Sequence, residues 1–180
     1  MLYGITLSFD KVCDAKIREL TALANTGLKS SFMLQNSIPP HLTLAMFSFS
    51  GDEAVLTKAI EAKIEANLKH FLAFKLRWAS IGAFAPICLF IAPVLDLSLI
   101  NASKCANDAV ASLDGAIADA NYKTDNWVPH TTIAVKLDEL DLEKAFAALS
   151  KSFRCLDGRS EKVSLVDCVS YHDLKSWRLA

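Results

Sequence analysis

Two short segments half a chain apart, Pro39-Pro40-His41-Leu42-Thr43-Leu44 and Pro129-His130-Thr131-Thr132-Ile133, share the pattern Pro-His-x-Thr-apolar. On a β-strand, residues two apart leave the same face and the residue between them leaves the other. Each segment therefore sets an imidazole beside a hydroxyl on one side of a strand and an apolar residue on the other. The chain has four histidines and eight threonines. Threonine two residues after two of those histidines is a coincidence of about one in a hundred. A fold that uses both copies must bring two distant strands to one cleft, a strong constraint on the architecture.

The remaining segments arrange themselves around this pair. Tyr3, Ile5, Leu7 and Phe9 alternate with Gly4, Thr6 and Ser8, the period of a half-buried strand. Asp10 can cap a helix carrying Val12, Cys13, Ile17, Leu20 and Leu23, which Gly27 stops. Residues 28–38 read as a loop running into Pro39-Pro40, and these prolines favour an extended entry to a strand from His41 to Phe49. Ser50 and Glu53 match a capping box for a helix with Leu56, Ile60, Ile64 and Leu68 on one stripe. Leu72 to Phe84 and Ile87 to Ala92 read as two strands joined by a short turn. A helix follows from about Ser98 to Asn121, with Leu99, Ala102, Ala106, Ala109, Val110, Leu113 and Ile117 inward and Gly115 weakening its end. Then come a loop from Tyr122 to Pro129, a strand from His130 to Leu137, and a helix from Asp138 to Ser152 with Leu142, Phe146, Leu149 and Phe153 inward. A strand from Val163 to Tyr171 closes the pattern, with Lys175 to Leu179 folding back on it.

Residues 1–84 and 87–180 thus repeat one order of elements, each half offering one His-x-Thr strand. The expected fold is α+β: two pseudo-symmetric β-α-β-α-β lobes with mostly antiparallel sheets flanking a central cleft and helices outside. The 180 residues suit a single domain. With 19 basic against 20 acidic side chains and a formal net charge of -1, there is no uniform field to hold a long duplex nucleic acid. The five cysteines lack a C-x-x-C spacing, so neither a disulfide framework nor a structural zinc site is expected. The first residues lack the pattern of a signal peptide, and the apolar run Ile87 to Leu95 is too short to span a bilayer. A cytoplasmic monomer is expected.

The chemistry follows from the side chains. Of two imidazoles in one cleft, one can take a proton while the other gives one, without a metal or cofactor. Hydroxyls of Thr43 and Thr132 can donate to the non-bridging oxygens of a phosphate as their charge grows. Two strand histidines without acidic or cysteine neighbours at ligand spacing make a poor metal site. Phe84 and Trp127 are candidates for stacking on a base or for core packing. Lys136 is a candidate phosphate contact or a solvated lysine. His172 reads as an exposed turn residue, and His70 suits a helix C-terminus.

The paired motifs His41-Leu42-Thr43-Leu44 and His130-Thr131-Thr132-Ile133 resemble those of the two-histidine (2H) phosphoesterase superfamily, especially its 2'-5' RNA ligase-like and cyclic phosphodiesterase members. Ile81-Gly82-Ala83-Phe84 with Pro86 resembles that family's central hairpin, and Val163 to Cys168 its last long strand. The resemblance implies two lobes related by duplication and hydrolysis of 2',3'-cyclic phosphates, usually to 2'-phosphates. Its partner would be a nucleotide or RNA end carrying the cyclic phosphate, with His41 and His130 as acid and base in either order. Bacterial ligase-like members often carry an arginine shortly after the second motif, where this chain has Lys136. Alternatives are a 2'-5' ligase or phosphodiesterase using the same residues, and a module that binds RNA ends or cyclic nucleotides without turnover.

Overall fold

A computed structural model describes residues 1–68 and 73–179. The first strand, β1 (Leu2–Phe9), runs into helix α1 (Lys11–Ala24), whose N-terminus is capped as expected by Asp10 accepting from the amides of Val12 and Cys13. Gly27, at φ +74, turns the chain away beyond α1, a left-handed conformation that favours glycine. The segment read as a loop contains one helical turn, α2 (Phe32–Gln35). The first motif strand is β2 (Leu42–Ser48), and α3 (Glu53–Leu68) follows. Asp52, rather than Ser50, caps α3 by accepting from the amides of Ala54 and Val55. Leu56, Ile60 and Ile64 form its buried stripe.

The hairpin consists of β3 (Lys75–Phe84) and β4 (Cys88–Pro93). His70, and the proposed start of β3 at Leu72, lie outside the described residues. Helix α4 (Leu97–Ala111) ends ten residues before the expected Asn121. Gly115 at φ +79 turns the chain into a two-residue strand, β5 (Ile117–Ala118), so Ile117 is exposed rather than inward. The second motif strand is β6 (Thr131–Val135), and α5 (Glu139–Ser152) follows. Here the inner stripe is Asp141, Ala145 and Leu149, while Phe146 faces out. The buried Asp141 carboxylate accepts from the Lys29 amide, which sets the rotation of the helix. The last long strand, β7 (Leu156–Asp167), begins seven residues before the expected Val163, and β8 (His172–Arg178) folds back on it.

All strand pairings are antiparallel, in the order β5-β2-β1-β7-β3-β4-β6 with β8 on β7. β7 joins the two parts of the sheet. Its first residues pair with β3, and from Ser160 onward it pairs with β1. The halves divided at residues 84–87 therefore exchange elements. β3 lies beside β4 of the second half, and β7 lies beside β1 of the first. Helices α1 and α5 pack together over β6 and β4, while α3 and α4 pack together beside β8 and β2. Tyr3, Ile5, Leu7, Phe47, Trp78, Leu89 and Ile91 fill the space beneath the helices. Among the described residues no helix is long and apolar enough to cross a membrane.

Candidate active site

The two motif strands deliver matched geometry. His41 and His130 each stand just before the first residue of their strand. The His41 Nδ1 lies 2.8 Å from the Pro39 carbonyl oxygen, and the His130 Nδ1 lies 2.8 Å from that of Val128. In the neutral tautomer that donates from Nδ1 to this carbonyl, Nε2 keeps its lone pair for other work. One carbonyl two residues upstream thus sets the same ring orientation twice. Both imidazoles line one cleft of about 530 Å³, and Thr43 and Thr132 line it with them. Among the described residues the Thr43 hydroxyl has no protein partner, and that of Thr132 lies 4.0 Å from the Cys88 thiol.

A β-bulge shapes both strands at the same offset. Thr6 pairs with Thr43 and Ile5 with Ala45, so Leu44 is the extra residue in β2. In β6, Phe90 pairs with Thr132 and Leu89 with Ala134, so Ile133 is the extra residue. The bulge reverses the alternation after each threonine. Met46 and Val135, which simple alternation puts on the core side, line the cleft instead. Leu42 and Thr131, between histidine and threonine, are fully buried on the opposite face.

The wall between the motifs comes from β1 and β7. Thr6 and Ser8 on β1 oppose Ser164 and Lys162 on β7, and all four line the cleft. The Asp173 carboxylate accepts from Lys162 at 2.6 Å, from Ser176 at 2.9 Å and from Ser164 at 3.0 Å. Burial holds the His41 pKa below its ordinary value, against the Pro39 carbonyl and the Asp173 charge, which favour the protonated ring. Burial also lowers that of His130; the Val128 carbonyl opposes this, and the charge of His41 adds to it. Arg18, paired with Asp14 at 2.6 Å, stands at another part of the rim.

Lys136 lines the cleft at φ +62 with its Nζ 3.7 Å from the Phe32 ring centroid, and Phe32 meets Tyr171 edge to face at 5.7 Å. Phe84 is 39% exposed and stands edge-on to His130 at 5.0 Å, with Phe90 on the same imidazole at 5.2 Å. Trp127 does not line the cleft. It is buried, and its indole N–H donates to the Thr43 carbonyl at 3.0 Å, which ties the loop before β6 to β2. His172 is exposed at the β7–β8 turn, in contact with the Ser170 hydroxyl. Sequence reasoning passed over Asp173, Lys162 and the Phe32–Tyr171 pair. The small polar face Thr6-x-Ser8 opposite Lys162-x-Ser164 is the signal that marks this wall. Among the described residues no group of three or more histidine, cysteine or acidic side chains is arranged to hold a metal ion.

A family model described as the 2'-5' RNA ligase superfamily matches residues 10–169. No curated protein matches the sequence. A crystal structure described as a phosphoesterase is similar at a TM-score of 0.62 and 15% identity, covering 99% of this chain and 97% of the other. E. coli LigT complexed with 3'-AMP is similar at a TM-score of 0.60 and 13% identity, covering 99% and 96%. E. coli LigT complexed with ATP gives 0.55 and 13% over the same shares.

Proposed function

The chain belongs to the 2'-5' RNA ligase superfamily, and from that premise we propose that it is a metal-independent phosphodiesterase that opens the 2',3'-cyclic phosphate of a nucleotide or RNA end. The observation that carries this reading is the matched pair of imidazoles. Each is anchored through Nδ1 and each shares the cleft with a threonine two residues on. A neutral Nε2 takes a proton from water as the water attacks phosphorus, and the other imidazole, protonated, gives its proton to the departing ribose oxygen. Charge gathers on the non-bridging oxygens, where the Thr43 and Thr132 hydroxyls act as donors. The Asp173 carboxylate favours the charged form of His41, and a charge on His41 disfavours one on His130. Structures of E. coli LigT complexed with 3'-AMP and with phosphate support a phosphate-bearing nucleotide as the ligand class.

The test is hydrolysis of a panel of nucleoside 2',3'-cyclic phosphates in EDTA, with the products identified by phosphorus NMR. His41→Ala and His130→Ala should each reduce turnover by about 10² to 10⁴, the usual contribution of one acid–base group. Turnover that survives both single changes overturns the reading. Supplying RNA ends in the same assay decides between hydrolysis and the joining or opening of 2'-5' linkages by the same residues.

A further inference from the structure

Each bulge carries a carbonyl turned out of the strand ladder, and in both cases an asparagine from the other half of the chain receives it. Asn25, the C-cap of α1, donates from Nδ2 to the Ile133 carbonyl at 2.9 Å and to that of Thr21, four residues back, at 2.7 Å. Asn107, in α4, donates from Nδ2 to the Leu44 carbonyl at 3.2 Å and to that of Ser103, again four residues back, at 2.9 Å. The Ser103 hydroxyl also donates to Leu44, and Asn107 reaches the Tyr122 carbonyl at 3.0 Å. The sequence Thr21-x-x-x-Asn25 thus corresponds to Ser103-x-x-x-Asn107, an echo of the duplication outside the motif strands.

We propose that Asn25 and Asn107 are a reciprocal pair of positioning residues, each holding the bulge of the motif strand contributed by the opposite half and so aiming Thr132 and Thr43 at the phosphate. Ile133 and Leu44 immediately follow those threonines, so the bulge fixes the strand direction on which each hydroxyl's placement depends. Stability alone is a poor account of Asn25. Its Oδ1 is buried without a hydrogen-bond partner among the described residues, an arrangement that costs free energy and calls for another reason. Both asparagines act through the backbone and through a threonine.

The proposal rests on the reading of the cleft as a phosphate site, and double-mutant cycles measured by binding keep the two separable. The probes are cytidine 2'-monophosphate and inorganic phosphate, titrated by calorimetry, beside turnover of cytidine 2',3'-cyclic phosphate. Asn107→Asp, which keeps the shape and removes the donor, should weaken binding about tenfold in the wild-type background. It should have little effect once Thr43→Ala is present, and its full effect with Thr132→Ala. Asn25→Asp should show the mirror pattern, coupled to Thr132 and independent of Thr43. Asn107→Ser and Asn25→Ser, too short to reach the carbonyls, repeat the cycles should either aspartate variant fail to fold. Equal losses in all backgrounds mean a merely structural role and overturn the proposal while leaving the phosphate reading intact. A wild-type protein that binds neither probe overturns both. Binding and coupling without turnover retain the proposal and overturn the hydrolase.

Discussion

Gly82 offers a perturbation whose path to the proposed catalytic pair can be followed through named contacts. It faces Phe90 across the β3–β4 ladder, and Phe90 in turn faces Thr132 across β4–β6. The Phe90 ring leans over the glycine, so a Cβ added at Gly82 would lie within 2.5 Å of Phe90 Cζ. Carbon atoms pack at about 3.5 to 4.0 Å, so the ring must retreat by about 1 Å. The ring is already in contact with Phe84, at 4.6 Å between centroids, and with His130, at 5.2 Å. Overpacking of this kind costs about 1 to 3 kcal/mol, from which roughly 0.5 to 1 kcal/mol is recovered by replacing a strand glycine. The expected net destabilisation of Gly82→Ala is about 0 to 2.5 kcal/mol, read as a lower urea midpoint. Activity should suffer more than stability. A displacement of about 1 Å at a catalytic group can cost about 10²-fold in rate. Hydrolysis of a cyclic nucleotide by folded Gly82→Ala protein checks this, and adding Phe90→Leu, which shortens the obstructing side chain, should restore stability. Wild-type turnover in Gly82→Ala with a lowered midpoint would show that Phe90 does not govern His130. No change in either would refute the packing argument itself.

Burial lowers the pKa of both cleft histidines, His41 and His130, so as pH falls through about 6.5 the unfolded chain takes up protons before the folded one does. Stability should therefore decline between pH 7.5 and 5.5, and His41→Gln or His130→Gln should shrink that decline; equal declines in all three proteins would contradict the assignment. The lowered carboxylates Asp138, Asp167 and Asp173 act in the opposite, more acidic window, where protonation near and below their ordinary range removes what they contribute. Trp127→Phe removes the donor to the Thr43 carbonyl and should cost about 1 to 3 kcal/mol for the stranded acceptor, measured by urea unfolding. Asp173→Asn removes a charge that favours protonated His41, so the His41 limb of the pH–rate profile should move to lower pH; an unmoved limb would remove Asp173 from the catalytic electrostatics.

The strands and the pairing of the motifs were legible because both are local patterns. Ile5 and Leu7 alternate with Thr6 and Ser8, and His-x-Thr keeps its two-residue spacing wherever the strand goes. What escaped depends on distant partners. The reversal of face at Met46 and Val135 comes from bulges, which leave no mark on an apolar run. The outward turn of Phe146 follows from Asp141 meeting the Lys29 amide, a contact between residues far apart in sequence. The polar start of β7, Asp157-Gly158-Arg159, has no strand periodicity and is held by its pairing with β3. Asp173 is an ordinary turn carboxylate until the β7–β8 hairpin carries it to the cleft.

The exchange of strands between the halves sets a timetable for the chain as it is made. β1 leaves the ribosome long before its partner on one edge, residues 160–167. β4 likewise begins with β3 and gains its other neighbour, β6, only after residue 131. A chain released before β7 is made leaves β1 with one open edge and a cleft lacking the wall that carries Lys162 and Ser164. Closing contacts of such sequence separation is entropically slow and comes late. Chains truncated before residue 160 should therefore be inactive and prone to pair through that open edge, and the site assembles only once β7 has been made.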